Sequence, residues 1–145
     1  GTSTRVEKDK RNSDINFIPW DEWIPAMMWS IMTTANQEYF KFDLEYWESG
    51  IQATRYRGED KQFYDWHFDE LPNVEKQRKL SCSLLLNDGY EGGELQFDHC
   101  HRKPSISPKR GEIVIFPAWL PHRVTQVTSG TRKSLVGWAW GPPFR

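Results

Sequence analysis

The order of apolar and polar positions divides the chain into a short helical part and a long part with a different period. Trp20, Trp23, Ile24, Met27, Met28, Ile31 and Met32 recur at intervals of three and four, the stripe of one helix face. They predict an amphipathic helix over about 21–36, with Pro25 tolerable only in its first turn and Ile24 as an alternative start. Such a stripe packs on a sheet; a Met-lined ligand groove is the competing reading. Residues 4–14, ahead of the helix, are charged and polar without a period and predict a loose lead-in.

From Phe40 onward the period drops to two. Phe40, Phe42 and Leu44 alternate, and further strand candidates are Ile51–Arg57, Phe63–Asp69, Leu80–Leu86, Glu94–Phe97, Glu112–Phe116, His122–Thr128 and Arg132–Trp140. Turn signals such as Asn87-Asp88-Gly89 and Ser129-Gly130 separate them, as do longer loops at Glu70–Lys79 and Pro104–Gly111. One helix followed by roughly eight short strands predicts a single, mainly β domain, a sandwich or barrel with the helix as buttress.

Composition narrows the function classes. A chain of 145 residues is long enough for one real core. A net charge of −1 offers no bulk attraction to nucleic acid or to an acidic membrane. No apolar run reaches the ~18 residues of a spanning helix. Two cysteines, Cys82 and Cys100, cannot carry a disulfide framework and are expected as reduced thiols of a cytoplasmic protein. Gly1 in place of Met points to processing or truncation upstream. Aromatic rings, including 8 Trp, form an unusual share of the apolar positions.

Candidate chemistry centres on histidine. His67 and Asp69 are two apart, so on a strand both project from one face, with Cβ atoms ~6–7 Å apart. With His122 they would form the two-His, one-carboxylate facial set that holds Fe(II) and leaves positions open. On these three residues alone, a half-buried His67 satisfied by Asp69 is an equal alternative. Arg132 lies ten residues past His122 and shares one strand face with Ser134, Val136, Trp138 and Trp140. If that face is interior, a guanidinium is carried into the barrel and requires an anion, best a carboxylate; an exposed strand-end Arg is the alternative. Asp98-His99-Cys100-His101 gathers zinc-type ligands, but strand neighbours point to opposite faces, and no structural metal is expected there.

Ile51–Asp69, Leu80–Phe97 and Gly111–Trp140, in the order His-x-Asp, Gly-Gly-x-Leu, Phe-Pro, His and Arg, resemble the Fe(II)- and 2-oxoglutarate-dependent oxygenases. The closer likeness is to their prolyl 4-hydroxylase-like branch, over about residues 40–140. The resemblance implies a distorted double-stranded β-helix, or jelly-roll barrel, with the helix buttressing its larger sheet. It assigns His67, Asp69 and His122 to iron and Arg132 to the distal carboxylate of 2-oxoglutarate, with Tyr56 and Leu95 lining the cosubstrate pocket. Tyr64, Arg78 and Trp138 match substrate-contacting positions. Leu85 departs from relatives that place a Tyr on the distal carboxylate.

The implied reaction consumes O2 and 2-oxoglutarate, releases succinate and CO2, and hydroxylates an unactivated C–H bond, with ascorbate as a candidate reductant. A prolyl residue of a protein or peptide is the first substrate expectation. A free amino acid, a lysyl residue or another small molecule is the alternative, and a non-catalytic binding module on the same barrel is a third reading. No nucleic acid or membrane partner is expected. Trp138 is expected to matter to substrate more than any other Trp, with Trp66 packed outside the pocket and Trp119 at its rim. The loop Glu70–Lys79 is a candidate lid.

Overall fold

The computed structural model describes residues 3–4, 10–19, 21–71 and 75–144. The expected helix is present as α1, Trp23–Ala35. Pro25 is its third residue, where an N–H would have found no partner within the helix. Pro25, Met28 and Met32 form its buried line, whereas Trp23 is 70% exposed. The covered face is therefore narrower than the apolar stripe, and Trp20 lies outside the described residues. The helix runs on as a π-helical turn, Asn36–Phe40, stopped by Lys41 in the left-handed region at φ 57°. The Asn36 side chain secures this stop, exchanging two hydrogen bonds with the backbone of Phe42, each 2.9 Å. Phe40, Phe42 and Leu44 consequently form no strand. They alternate because each rests against the core under the helix.

Fourteen strands occur among the described residues: β1 Ser3–Thr4, β2 Arg11–Asn12, β3 Asp14–Ile18, β4 Tyr46–Trp47, β5 Ile51–Arg57, β6 Phe63–His67 and β7 Gln77–Leu85. They continue with β8 Glu91–Gly92, β9 Leu95–Phe97, β10 Ser105–Ile106, β11 Ile113–Pro117, β12 His122–Val124, β13 Val127–Ser129 and β14 Thr131–Gly141. The larger sheet runs β1-β3-β5-β14-β7-β11, with β4 also on β14. The smaller runs β10-β9-β12-β6-β2, and β13 pairs with β8 apart from both. Every pairing in the two sheets is antiparallel.

Two apolar layers hold this arrangement. One, with Met28, Met32, Ile51, Leu80, Leu135 and Ala139, lies between α1 and the outer face of the larger sheet. The other, with Tyr56, Leu95, Phe97, Phe116, Val124 and Val127, fills the barrel between the sheets. β14 serves both: Leu135 and Ala139 go to the helix side, and Val136 and Trp138 face the cavity. Cys82 sits in the first layer, its thiol pushed up to about 12 by burial, and both cysteines are free.

Several expected boundaries change. The lead-in is structured in part: β2 pairs with β6 and β3 with β5. Its polar residues gave no period because pairing with distant strands, not an apolar face, orders it. The candidate lid is shorter than expected, since 77–79 already belong to β7 and 72–74 lie outside the described residues. His122–Thr128 is two strands, β12 and β13, in different sheets. No helix among the described residues is long and apolar enough to cross a membrane.

Candidate functional site

His67 and His122 are brought together by strand pairing. His67 ends β6, His122 begins β12, and the two are direct cross-strand partners, which places their side chains side by side on one face. Their rings stand 4.2 Å apart at 57°. Asp69 reaches the same point by a different route from the one its spacing suggested. β6 stops at His67, and Asp69 lies in the following loop, which the carbonyl of Ala118 pins by accepting the Asp69 and Glu70 N–H groups at 2.9 and 3.0 Å. The shared face of a strand does not explain the pair; the turn after β11 does.

The three donor groups converge. Nε2 of His67 and Nε2 of His122 each lie 3.5 Å from Oδ1 of Asp69, and the donor atoms all fall within 4.8 Å of one another. Nδ1 of His67 donates to the Asp65 carbonyl at 2.7 Å and Nδ1 of His122 to that of Leu120 at 2.9 Å. Each such bond puts the proton on Nδ1 and leaves the Nε2 lone pair facing the centre. Burial, which outweighs the pull of Asp69, lowers the His122 pKa and favours that neutral form. Phe116 stands edge-on to the His122 ring at 4.7 Å, walling it off.

Asp69 is held by its other oxygen. Oδ2 accepts hydrogen bonds from Ser81 Oγ at 2.7 Å and from Trp138 Nε1 at 3.0 Å. Burial alone would raise its pKa, but the adjoining imidazoles of His67 and His122, wherever they carry a proton, and the Ser81 hydroxyl outweigh it, and the group stays well below the usual carboxylate range. Two neutral imidazoles, one carboxylate oxygen and an open side facing a cavity suit a divalent ion such as Fe(II). They do not complete the closed four-ligand set of a structural zinc site.

The cavity in front of this set holds about 250 Å³. Arg132 enters it from β14 and is 1% exposed. Its Nη1 donates to Ser134 Oγ at 3.2 Å, while its Nε has no partner and no carboxylate pairs with it among the described residues. A buried guanidinium in that condition implies an anionic occupant. Gly93 makes room for it: a Cβ there would stand 2.9 Å from Arg132 Cδ and 2.8 Å from Val127, on a backbone already at φ 61°. The Gly-Gly-x-Leu motif thus has a local reason, with Leu95 also lining the cavity. Tyr56, the register partner of Arg132, lies with its ring 5.8 Å from the guanidinium. Burial pushes its hydroxyl up despite Arg11 and Arg132, so it remains a neutral donor. Leu85 is buried but does not line the cavity.

The three residues matched to substrate positions all line the same cavity. Tyr64 stacks on His67 at 3.5 Å. Arg78 lays its guanidinium 3.8 Å over the Trp138 ring and is clamped by both oxygens of Glu48 at 2.9 Å. One face of Trp138 is therefore already covered. Trp140 leaves the inward face after a register shift in β14 and donates to Glu48 instead. Trp66 packs outside, under Arg123 and Lys103, and Trp119 is exposed without lining the cavity. His99, Cys100 and His101 stay exposed and join no ligand cluster among the described residues. Sequence reasoning placed Ser134 on the inward face without giving it a role, and missed Ser81, Gly93's contact and Arg11, a buried cavity residue from the supposed lead-in. Ser81 carries no motif, but the inward parity of β7 could have found it.

Comparison with known proteins agrees with this geometry. The family model described as the 2OG-Fe(II) oxygenase superfamily matches residues 51–140. A PKHD-type hydroxylase of Synechococcus sp. (strain CC9311) is 43% identical over 77 residues, 52% of this chain and 35% of that protein. One from Maricaulis maris is 35% identical over 92 residues, 62% of this chain and 41% of that protein; the chain thus spans well under half of these relatives. Among solved structures, a Pseudomonas putida prolyl-4-hydroxylase superposes with a TM-score of 0.78 at 24% identity, covering 95% of this chain and 76% of that one. A Trichoplax adhaerens prolyl hydroxylase in complex with a hypoxia inducible factor peptide fragment gives 0.80 at 18% identity, covering 95% and 70%. The fold they share with the two facing sheets is the double-stranded β-helix. The chain belongs to the 2OG-Fe(II) oxygenase superfamily.

Proposed function

We propose that this domain is an Fe(II)- and 2-oxoglutarate-dependent dioxygenase that hydroxylates an unactivated C–H bond, with a peptidyl proline as substrate. The observation that carries the proposal is the pairing, in one cavity, of the convergent His67–Asp69–His122 donors with the unpaired, buried guanidinium of Arg132.

His67 Nε2, Asp69 Oδ1 and His122 Nε2 would hold Fe(II). Arg132, steadied by Ser134, would take the distal carboxylate of 2-oxoglutarate through its free N–H groups, a charge-assisted bond in a dry site. Tyr56 and Leu95 would flank the cosubstrate, the first as donor and the second as apolar wall. When bound, Fe(II) with 2-oxoglutarate supplies the oxygen chemistry: one atom of O2 goes to the substrate C–H as hydroxyl and the other to succinate, with loss of CO2. The chain's own work is to fix the open face, exclude water and aim the substrate. Tyr64 and Trp138 present aromatic edges and faces around that opening, and Arg78, locked by Glu48, shapes its wall. A proline ring, rigid and apolar, suits such a surface.

The prolyl hydroxylase names among the neighbours support the substrate class. Anaerobic titration with Fe(II) and 2-oxoglutarate should produce a metal-to-ligand charge-transfer band; its absence would defeat the oxygenase assignment. Mass spectrometry of a proline peptide library should then show one added oxygen on Pro. Turnover to succinate with oxygen appearing only on another residue or a free amino acid would keep the chemistry and discard the peptidyl proline.

A further inference from the structure

A second guanidinium in the cavity is as short of partners as Arg132. Arg11 belongs to β2, is 4% exposed and lines the cavity. Its Nε donates to Ser13 Oγ at 2.7 Å; one of its terminal nitrogens, Nη2, is buried without any partner. No carboxylate pairs with it among the described residues. Its guanidinium carbon lies 4.4 Å over the Tyr64 ring, and Tyr64 in turn stacks on the proposed ligand His67. β2 is held there by direct pairing of Arg11 with Tyr64 across the two strands.

The other charges of the cavity are matched. Arg78 is neutralised by Glu48. A divalent ion on Asp69, a doubly charged cosubstrate and Arg132 together bring the centre to neutrality. Arg11 is then left over as one buried positive charge, and a guanidinium cannot shed its proton to escape that condition. The group that suits its planar fork is a carboxylate.

We propose that Arg11 receives a carboxylate of the substrate, placed across Tyr64 from the metal centre, so that this domain selects substrates carrying an acid group beside the target carbon. The inference rests on the oxygenase reading above and refines its substrate. The acid can be the main-chain carboxylate of a free amino acid or chain end, or an acidic side chain next to the target residue. Arg11 then acts as a specificity residue, and a neutral mid-chain segment is a poor ligand.

The test uses the whole chain loaded with Mn(II) and 2-oxoglutarate, loading being verified first by its own titration. Failure to load would count against the oxygenase reading and not against Arg11. Calorimetry then compares matched carboxylates and primary amides: N-acetyl-L-proline with N-acetyl-L-prolinamide, and acetyl-Pro-Asp-amide with acetyl-Pro-Asn-amide. At least one carboxylate should bind ~10-fold or more tightly than its amide, the first pair reporting a main-chain acid and the second a side chain. Arg11→Gln should abolish the preference and Arg11→Lys should keep part of it, both with an unchanged circular dichroism spectrum and 2-oxoglutarate affinity within about twofold of wild type. The inference is overturned if no carboxylate outbinds its amide. It is equally overturned if Arg11→Gln weakens 2-oxoglutarate as strongly as Arg132→Gln does, which would place Arg11 on the cosubstrate.

Discussion

The indole N–H of Trp138 donates to Oδ2 of Asp69 at 3.0 Å, across a sequence separation that spans half the chain. Ser81 donates to the same oxygen, so both bonds turn Oδ1 toward His67 and His122. In the proposed function Trp138 would therefore orient a metal donor as well as meet substrate. Trp138→Phe, which keeps the ring and removes the N–H, should weaken Fe(II) or Mn(II) binding about 10-fold, and Ser81→Ala should do likewise, in line with losses seen on removing such outer hydrogen bonds. Metal titration of the anaerobic protein checks this; an unchanged affinity in both variants would leave Trp138 with a substrate role only.

Arg132 and Gly93 should fail in the same way for different reasons. Arg132→Gln removes the buried charge and should raise the 2-oxoglutarate dissociation constant by roughly 30-fold or more, since truncating a buried charge pair costs ~2–5 kcal/mol. Gly93→Ala keeps the charge but crowds Arg132 Cδ at 2.9 Å. It should weaken cosubstrate while leaving metal affinity near wild type. Titrating metal and cosubstrate separately on each variant distinguishes the two.

Ligands that bind only the folded site should stabilise it. Metal at ~100 times its dissociation constant adds about 2.7 kcal/mol, a rise in Tm of roughly 5–10 °C for a chain of this size, and 2-oxoglutarate adds to it. A chelator should reverse the shift. His67→Ala and His122→Ala should each abolish the metal part of it, which differential scanning fluorimetry reads directly.

Acid should destabilise the metal-free protein through His122. Burial lowers its folded pKa below the ordinary 6.5, so the unfolded chain binds the proton more readily and stability falls as pH drops below about 6.5. The depressed pKa of Asp69 acts in the same direction further down, its contribution being present in full above the ordinary carboxylate range and lost as pH falls from there through the lower folded value. His122→Gln should flatten the first part of the decline in denaturation midpoints measured between about pH 7 and pH 5.

Much of this site was legible before any coordinates. The ordered motifs singled out His67, His122 and Arg132, and the period-two face of β14 carried Arg132, Ser134 and Trp138 inward, where the cavity lies. What escaped was set by contacts distant in sequence. Arg11 sits in a polar stretch whose order comes from pairing with Tyr64, and no local pattern records that. Asp69 was placed correctly for the wrong reason, because a loop pinned by Ala118 and a continued strand predict the same neighbour. Trp140 left its face at an irregularity in the ladder, which parity cannot foresee.

β14 is paired along most of its length with β5 on one side and β7 on the other. Arg132 near its beginning and Trp138 near its end are therefore marks on a single rigid ruler, and the span between anion and metal donor is set by strand pitch rather than by any loop. Substitutions along it can be absorbed one at a time. An inserted or deleted residue between 132 and 138 would instead reverse every side chain beyond it, sending Trp138 to the helix side and Gly137 or Ala139 to the cavity. Among natural or engineered length variants of this domain, that six-residue interval is where drift in length should be forbidden.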